Sequence, residues 1–247
     1  MKLMMVEGRY RGDIELDKAL INNLPTRIGL VTTVQFLDAL PKIKRLLTEA
    51  GKEVYTDKQR QAYDAQLLGC DSTAGEGLLQ DKVDAYLYIG TGLFHPIWLA
   101  VNVNTDVFLY DPFTKRLELM DKNIAKKYTQ KREANIKRFY AAENIGILVS
   151  MKSGQINFEK GIKLKKELEK KGKNVYLFVF ETLDFNQPEN FPFIDCWINT
   201  ACPRIFDDNE KFSKPLVNMD DISKLSFETK NGFHSYVSEY TFHRKKF

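Results

Sequence analysis

Ile194-Asp195-Cys196-Trp197-Ile198-Asn199-Thr200-Ala201-Cys202-Pro203-Arg204 reads as a short buried strand running straight into a tight turn. Ile194, Cys196, Trp197 and Ile198 form a nearly continuous apolar run, as a strand covered on both faces does. Asn199 and Thr200 end that run with turn-forming side chains. Cys202 follows just past the strand's carboxyl end, where open α/β sheets place their ligands. Pro203 stiffens the turn and removes a backbone donor. Arg204 puts a permanent cation next to the thiol, which favours the thiolate that binds metal or attacks.

The same pattern occurs earlier in the chain. Ile194-Asp195-Cys196-Trp197-Ile198 overlays Val83-Asp84-Ala85-Tyr86-Leu87, and Asn144-Ile145-Gly146-Ile147-Leu148 overlays Arg27-Ile28-Gly29-Leu30-Val31. The offset is 117 residues at the openings (28 to 145) and 111 at the later strands (84 to 195). A helix bearing Leu37, Leu40, Ile43, Leu46 and Leu47 closes at Gly51, and a helix over 158–171 closes at Gly172. So long a period implies a duplicated domain rather than a solenoid. Alternating strands and helices then predict an α/β fold: two repeated domains with parallel sheets flanked by helices. The expected boundaries are 24–142 and 143–247. Residues 1–23, with a short helix around Ile14–Ile21, read as an N-terminal arm or the end of a preceding domain. A long basic helix is expected from Lys122 to about Ala142, a last strand at Lys214–Val217, and no clear period over 226–247.

A chain of 247 residues with 43% hydrophobic composition buries a sizeable core. The net charge of +4 permits an acidic or nucleic-acid partner without demanding one. No signal peptide and no apolar run of membrane-spanning length is legible, so a cytoplasmic protein without membrane contact is expected. Three cysteines in a reducing compartment argue against a disulfide framework. Cys70 and Cys202 each end a short apolar segment, one per repeat, and read either as metal or catalytic thiols or as core cysteines. Cys196 aligns with Ala85 in mid-strand and reads as packing. Gly90-Thr91-Gly92 allows close backbone approach or makes a plain turn. His95 beside Pro96 is a base, a ligand donor or a turn residue. Ser153-Gly154-Gln155 offers backbone donors ahead of a helix. Asp207-Asp208 is a helix cap or a cation site. His234 and His243 show no usable spacing.

Taken together, Leu67-Leu68-Gly69-Cys70-Asp71, Ile89 to Pro96, Val149 to Gln155 and Asn199 to Ile205 with Asp207-Asp208 resemble the archaeal and eukaryotic diphthamide synthase family, in order and at about its spacing. The resemblance implies three repeated α/β domains, each giving one cysteine to a [4Fe-4S] cluster. The unliganded iron takes S-adenosylmethionine. A noncanonical radical cleavage transfers its 3-amino-3-carboxypropyl group to a histidine of translation elongation factor 2, releasing methylthioadenosine. Cys70 and Cys202 would be the catalytic cluster ligands, facing one cleft. Gln35, Gly90, Thr91, Gly92, His95, Pro96, Ser153, Gly154, Gln155 and Arg204 would line the cofactor pocket. The resemblance covers only the family's second and third domains, so the first cluster cysteine is expected from a homodimer partner or another chain. The alternative is a non-catalytic subunit or scaffold that binds elongation factor 2. Direct nucleic-acid binding is not expected.

Overall fold

The computed structural model describes residues 4, 6–78, 82–152 and 154–223. They divide into two compact units, Met1–Thr129 and Gln130–Phe247. Among the described residues no helix is long and apolar enough to cross a membrane.

The first unit runs α1 (Lys18–Asn22), β1 (Arg27–Thr32), a 3-10 turn (Val34–Ala39), α2 (Leu40–Glu49), β2 (Glu53–Tyr55), α3 (Thr73–Glu76), β3 (Ala85–Ile89), α4 (Phe94–Asn102), β4 (Asp106–Asp111) and β5 (Arg116–Leu119). Helix α5 (Lys122–Ala141) starts in this unit and ends in the second. The sheet order is β2-β1-β3-β4-β5, parallel except for β5. Successive strand residues point to opposite faces. Ile28, Leu30, Leu87 and Ile89 pack with α2, whereas Val31, Tyr86 and Tyr88 pack with Ala74, Leu78 and Leu99.

Four features of this unit depart from the sequence pattern. The first helix begins only at Lys18, because the Asp17 side chain accepts from the Ala19 N–H (2.8 Å) and caps it there. Ile14 and Leu16 lie outside that helix, buried in the core. The helix expected from Leu37 is a 3-10 turn passing into α2 at Leu40, with Pro41 in α2's first turn. His95 and Pro96, expected in a loop, already belong to α4, whose first turn tolerates a proline. Strand β5 pairs antiparallel with β4, in a segment whose four residues, Arg-Leu-Glu-Leu, carried too little apolar signal to read as a strand.

The second unit contains β6 (Asn144–Ser150), α6 (Phe158–Lys170), β7 (Asn174–Phe180), a 3-10 turn (Gln187–Asn190), β8 (Cys196–Asn199), a 3-10 segment (Pro203–Lys211), β9 (Leu216–Asn218) and α7 (Met219–Ser223). Its sheet is parallel throughout, in the order β7-β6-β8-β9. The internal repeat is visible in the pairing registers. Ile28 faces Ala85 across β1 and β3, and Ile145 faces Cys196 across β6 and β8. The aspartate before each inner strand closes the pair in the same way. Asp84 accepts from the Arg27 N–H at 2.9 Å, and Asp195 accepts from the Asn144 N–H at 2.8 Å. The α-helices that follow β1 and β6, α2 and α6, each end next to a left-handed glycine, Gly51 at φ +79° and Gly172 at φ +82°.

Candidate iron-sulfur ligand turns

In the first unit the expected residues gather at the carboxyl edge of the sheet. Thr32 ends β1, bridges Gln66, and donates its hydroxyl to the Ile89 carbonyl at 2.6 Å. Leu68 and Asp71 then exchange backbone hydrogen bonds of 2.9 and 3.2 Å, leaving Gly69 and Cys70 at the tip of a two-residue turn. Cys70 is exposed there. Asp71 anchors the base of the turn by accepting from the Thr73 N–H (3.0 Å) and hydroxyl (2.6 Å). The Phe94 ring lies over the turn, so close that a Cβ on Gly69 would stand 2.1 Å from Phe94 Cε1. His95, ring to ring at 5.1 Å from Phe94, sits beside it and is half-buried. Exposed Gln35 is the second residue of the 3-10 turn that follows β1.

The two glycines of Gly90-Thr91-Gly92 serve different needs. A Cβ on Gly90 would lie 2.4 Å from the Tyr88 hydroxyl, so that glycine makes room for a core ring. Gly92 has φ +65° and open space around it, the condition for close backbone approach by a ligand. Thr91 is exposed and Pro96 is buried.

In the second unit, Cys202 follows β8 directly and is half-buried. Its turn is held to the neighbouring loop by the Asn157 side chain, which donates to the Thr200 carbonyl at 2.7 Å. The Thr200 hydroxyl donates to the Leu148 carbonyl at 2.8 Å. Gly154 has φ +80°, and the Gln155 N–H closes onto the Lys152 carbonyl at 2.9 Å just ahead of α6. Ser153 lies outside the described residues, as do His234, His243 and the 226–247 tail. A recess of about 40 Å³ adjoins the Cys202 turn, lined by Asn157, Asn199, Thr200 and Asn218 among others.

Arg204 differs from its sequence reading. It is 6% exposed, and its guanidinium is paired with Asp207 at 2.5 and 2.8 Å. Its charge is thus met by a carboxylate three residues on, and the thiol beside it does not have the cation to itself. Asp208 pairs with Lys211 at 2.7 Å, so both acids of the pair face basic side chains. Cys196 is fully buried, at the first position of β8 rather than in mid-strand as the sequence suggests, and burial pushes its thiol up to about 12. Among the described residues no three of His, Cys, Asp or Glu gather as a metal-ligand group. The two cysteines on turns are the right donor type for an iron–sulfur cluster, and fewer than its usual set. They are not equivalent in the repeat: with Asp84 aligned on Asp195, Cys202 corresponds in sequence to Thr91, while Cys70 follows a segment bridged to the end of β1 at Thr32 and Gln66.

Asn157, Asn218 and Phe94 take part in these turns and were not singled out from the sequence. Asn157 was within reach as the cap position ahead of α6. Nothing local marks the other two.

Comparison with known proteins gives the arrangement a family. A model described as "putative diphthamide synthesis protein" matches residues 1–234. The 2-(3-amino-3-carboxypropyl)histidine synthase of Pyrococcus horikoshii is 31% identical over 212 residues, covering 83% of this chain and 58% of the relative. Subunit 1 of the synthase so named in Caenorhabditis elegans is 28% identical, covering 77% of this chain and 48% of the relative. The chain therefore spans about half the length of the curated relatives it matches. The crystal structure of Dph2 from Pyrococcus horikoshii with a 4Fe-4S cluster superposes with a TM-score of 0.69 at 28% identity, over 83% of this chain and 58% of that one. A second Dph2 structure from the same organism gives 0.72 at 28% identity, over 89% and 65%. The repeated parallel sheets, the two cysteine turns at their carboxyl edges and a match running from residue 1 to 234 agree: the chain belongs to the diphthamide synthesis protein family.

Proposed function

We propose that this chain is the larger part of a 2-(3-amino-3-carboxypropyl)histidine synthase acting in the first step of diphthamide biosynthesis. It provides Cys70 and Cys202 as two thiolate ligands of a [4Fe-4S] cluster, and a further cysteine comes from polypeptide outside this sequence. The substrate pair is S-adenosylmethionine and a histidine of translation elongation factor 2. When bound, the cluster supplies the electron that cleaves S-adenosylmethionine.

One observation carries the reading. Of the chain's three cysteines, Cys70 and Cys202 reach solvent, each on a pinned turn at its own sheet's carboxyl edge, and Cys196 is buried. Thiolate chemistry needs accessible sulfur. The names of the relatives and the cluster in the Pyrococcus structure support the same conclusion. The residues of this chain then act by binding and orientation. Gly92 and Gly154, both at positive φ with open space around them, let a ligand lie against the backbone. Gln35, Thr91, His95 and Gln155 offer polar contacts at those edges.

The test is anaerobic reconstitution with iron and sulfide, with and without a polypeptide carrying the portion of a full-length relative that this chain does not match. Iron, sulfide, visible absorption and methylthioadenosine release with elongation factor 2 are measured. The expected result is a stable four-iron cluster only in the mixture, lost in Cys70→Ser and in Cys202→Ser. A full cluster that survives both substitutions overturns the ligand assignment. No cluster under any condition favours a non-catalytic partner of elongation factor 2.

A further inference from the structure

Two buried asparagines clamp the backbone that carries Cys202. Asn199 ends β8 and is 2% exposed; Asn218 ends β9 and is 4% exposed. They face each other in the strand register, and Asn199 Nδ2 donates to Asn218 Oδ1 at 2.8 Å. Asn199 Oδ1 accepts from the Ala201 N–H at 3.0 Å, and its Nδ2 also donates to the Cys202 carbonyl at 2.8 Å. Asn218 Nδ2 donates to the Pro203 carbonyl at 3.1 Å. The Cys202 carbonyl accepts a further bond from the Ile205 N–H at 3.0 Å. Residues 201, 202 and 203 are thus each tied to one of two side chains rooted in neighbouring strands.

Sheet packing does not require this pair. The flanking strand residues Trp197, Ile198, Leu216 and Val217 are apolar and buried, and an apolar pair at 199 and 218 would continue that sheet while stripping the Ala201 N–H and the Pro203 carbonyl of the bonds given above. What an apolar pair does not do is hold the turn. We propose that Asn199 and Asn218 are positioning residues that fix the direction in which the Cys202 thiol is presented for iron ligation. The proposal rests on the reading of Cys202 as a cluster ligand.

The full metal-free chain contains its own controls. Alkylation of Cys70, Cys202 and Cys196 is followed by mass spectrometry in one sample: Cys70 reports the other turn, and buried Cys196 reports unfolding. Asn199→Leu keeps about the same shape and adds no charge but removes the side-chain amide and with it both donations. We expect Cys202 alkylation to rise at least about fivefold, the factor one ordinary hydrogen bond represents, with Cys70 unchanged and Cys196 protected. Asn218→Leu supplies the same comparison should Asn199→Leu expose Cys196. In the reconstituted mixture, either variant is expected to alter the cluster's electron-paramagnetic line shape. An unchanged Cys202 rate in a variant whose Cys196 stays protected overturns the proposal. If instead the rate changes while Cys202→Ser keeps a full cluster, the clamp stands and the ligand assignment falls.

Discussion

Gly146 lies opposite Trp197 in the pairing of β6 with β8, and the indole occupies the space a side chain at 146 would need: a Cβ there would come within 2.3 Å of the ring. Gly29 stands in the same relation to Tyr86, at 2.7 Å. The repeat has kept a glycine under an aromatic ring in both sheets. In the second unit Trp197 is further hemmed in by Phe178 at 4.9 Å between ring centroids. Gly146→Ala therefore overpacks a site with no slack, and a loss of about 1–3 kcal/mol is expected. Urea unfolding followed by circular dichroism measures it. A variant as stable as the parent would mean that the indole moves aside freely.

Asp195 sets an acid dependence. Its carboxyl lies below the usual carboxylate range, first because it accepts from the Asn144 N–H (2.8 Å), helped by the Glu143 N–H and the Asn144 side-chain amide (both 3.2 Å). A depressed folded-state pKa stabilises the fold above the unfolded value of about 3.9, and that contribution is lost as pH falls through the folded value. Asn at 195 lacks the charge at every pH. Asp195→Asn is expected to cost about 1 kcal/mol at pH 7 and progressively less as the parent protonates below about pH 4. Urea midpoints of both proteins between pH 7 and 2.5 give the comparison; a pH-independent gap would assign the effect to packing.

A buried ion pair ties α5 to α7 within the second unit. Arg132 Nε donates to Asp221 Oδ1 at 2.7 Å, with the two side chains 17% and 1% exposed. Removing one partner strands the other's charge, so Arg132→Ala is expected to lose about 3–5 kcal/mol. The double change Arg132→Met with Asp221→Leu removes both charges and is expected to recover most of that loss. Denaturation of the three proteins decides whether the stranded carboxylate, rather than lost side-chain packing, carries the cost.

The sequence disclosed the duplication because it rests on periodic features: the aspartates at 84 and 195, the glycines at 29 and 146, and the helix ends at 51 and 172. These act locally and recur at similar offsets of 111, 117 and 121 residues. It missed α4, since Pro96 reads as a helix breaker until it is placed in a first turn, where its missing N–H costs nothing. It also missed β5, whose partner β4 supplies the pairing that its own composition does not announce. The cysteine turns were located by their flanking motifs, but what holds them was not legible. Asn218 reaches Pro203 across a strand pair, and Phe94 covers a glycine 25 positions earlier. The pairing of Arg204 with Asp207 was hidden for the same reason, because it is set by the path of the 3-10 segment.

Phe94 is to Cys70 what the asparagine pair is to Cys202. It is 49% exposed, yet its ring is pressed against Gly69 rather than turned into the core of its own helix face. An exposed aromatic contributes little to unfolding stability, so Phe94→Ala is expected to cost less than about 1 kcal/mol. Its effect should fall on the turn instead. Without the ring, Gly69 regains conformational freedom, and Cys70 is expected to alkylate severalfold faster while Cys202 does not change. Gly69→Ala approaches the same contact from the other side: the new methyl would sit 2.1 Å from the ring, so either the ring or the turn must shift. Alkylation rates of both cysteines in the two variants, read beside urea midpoints, separate a local effect from a global one. A large loss of stability with parallel acceleration at both cysteines would make Phe94 a core residue, and equal rates in parent and variants would show that the Cys70 turn is held without help from Phe94.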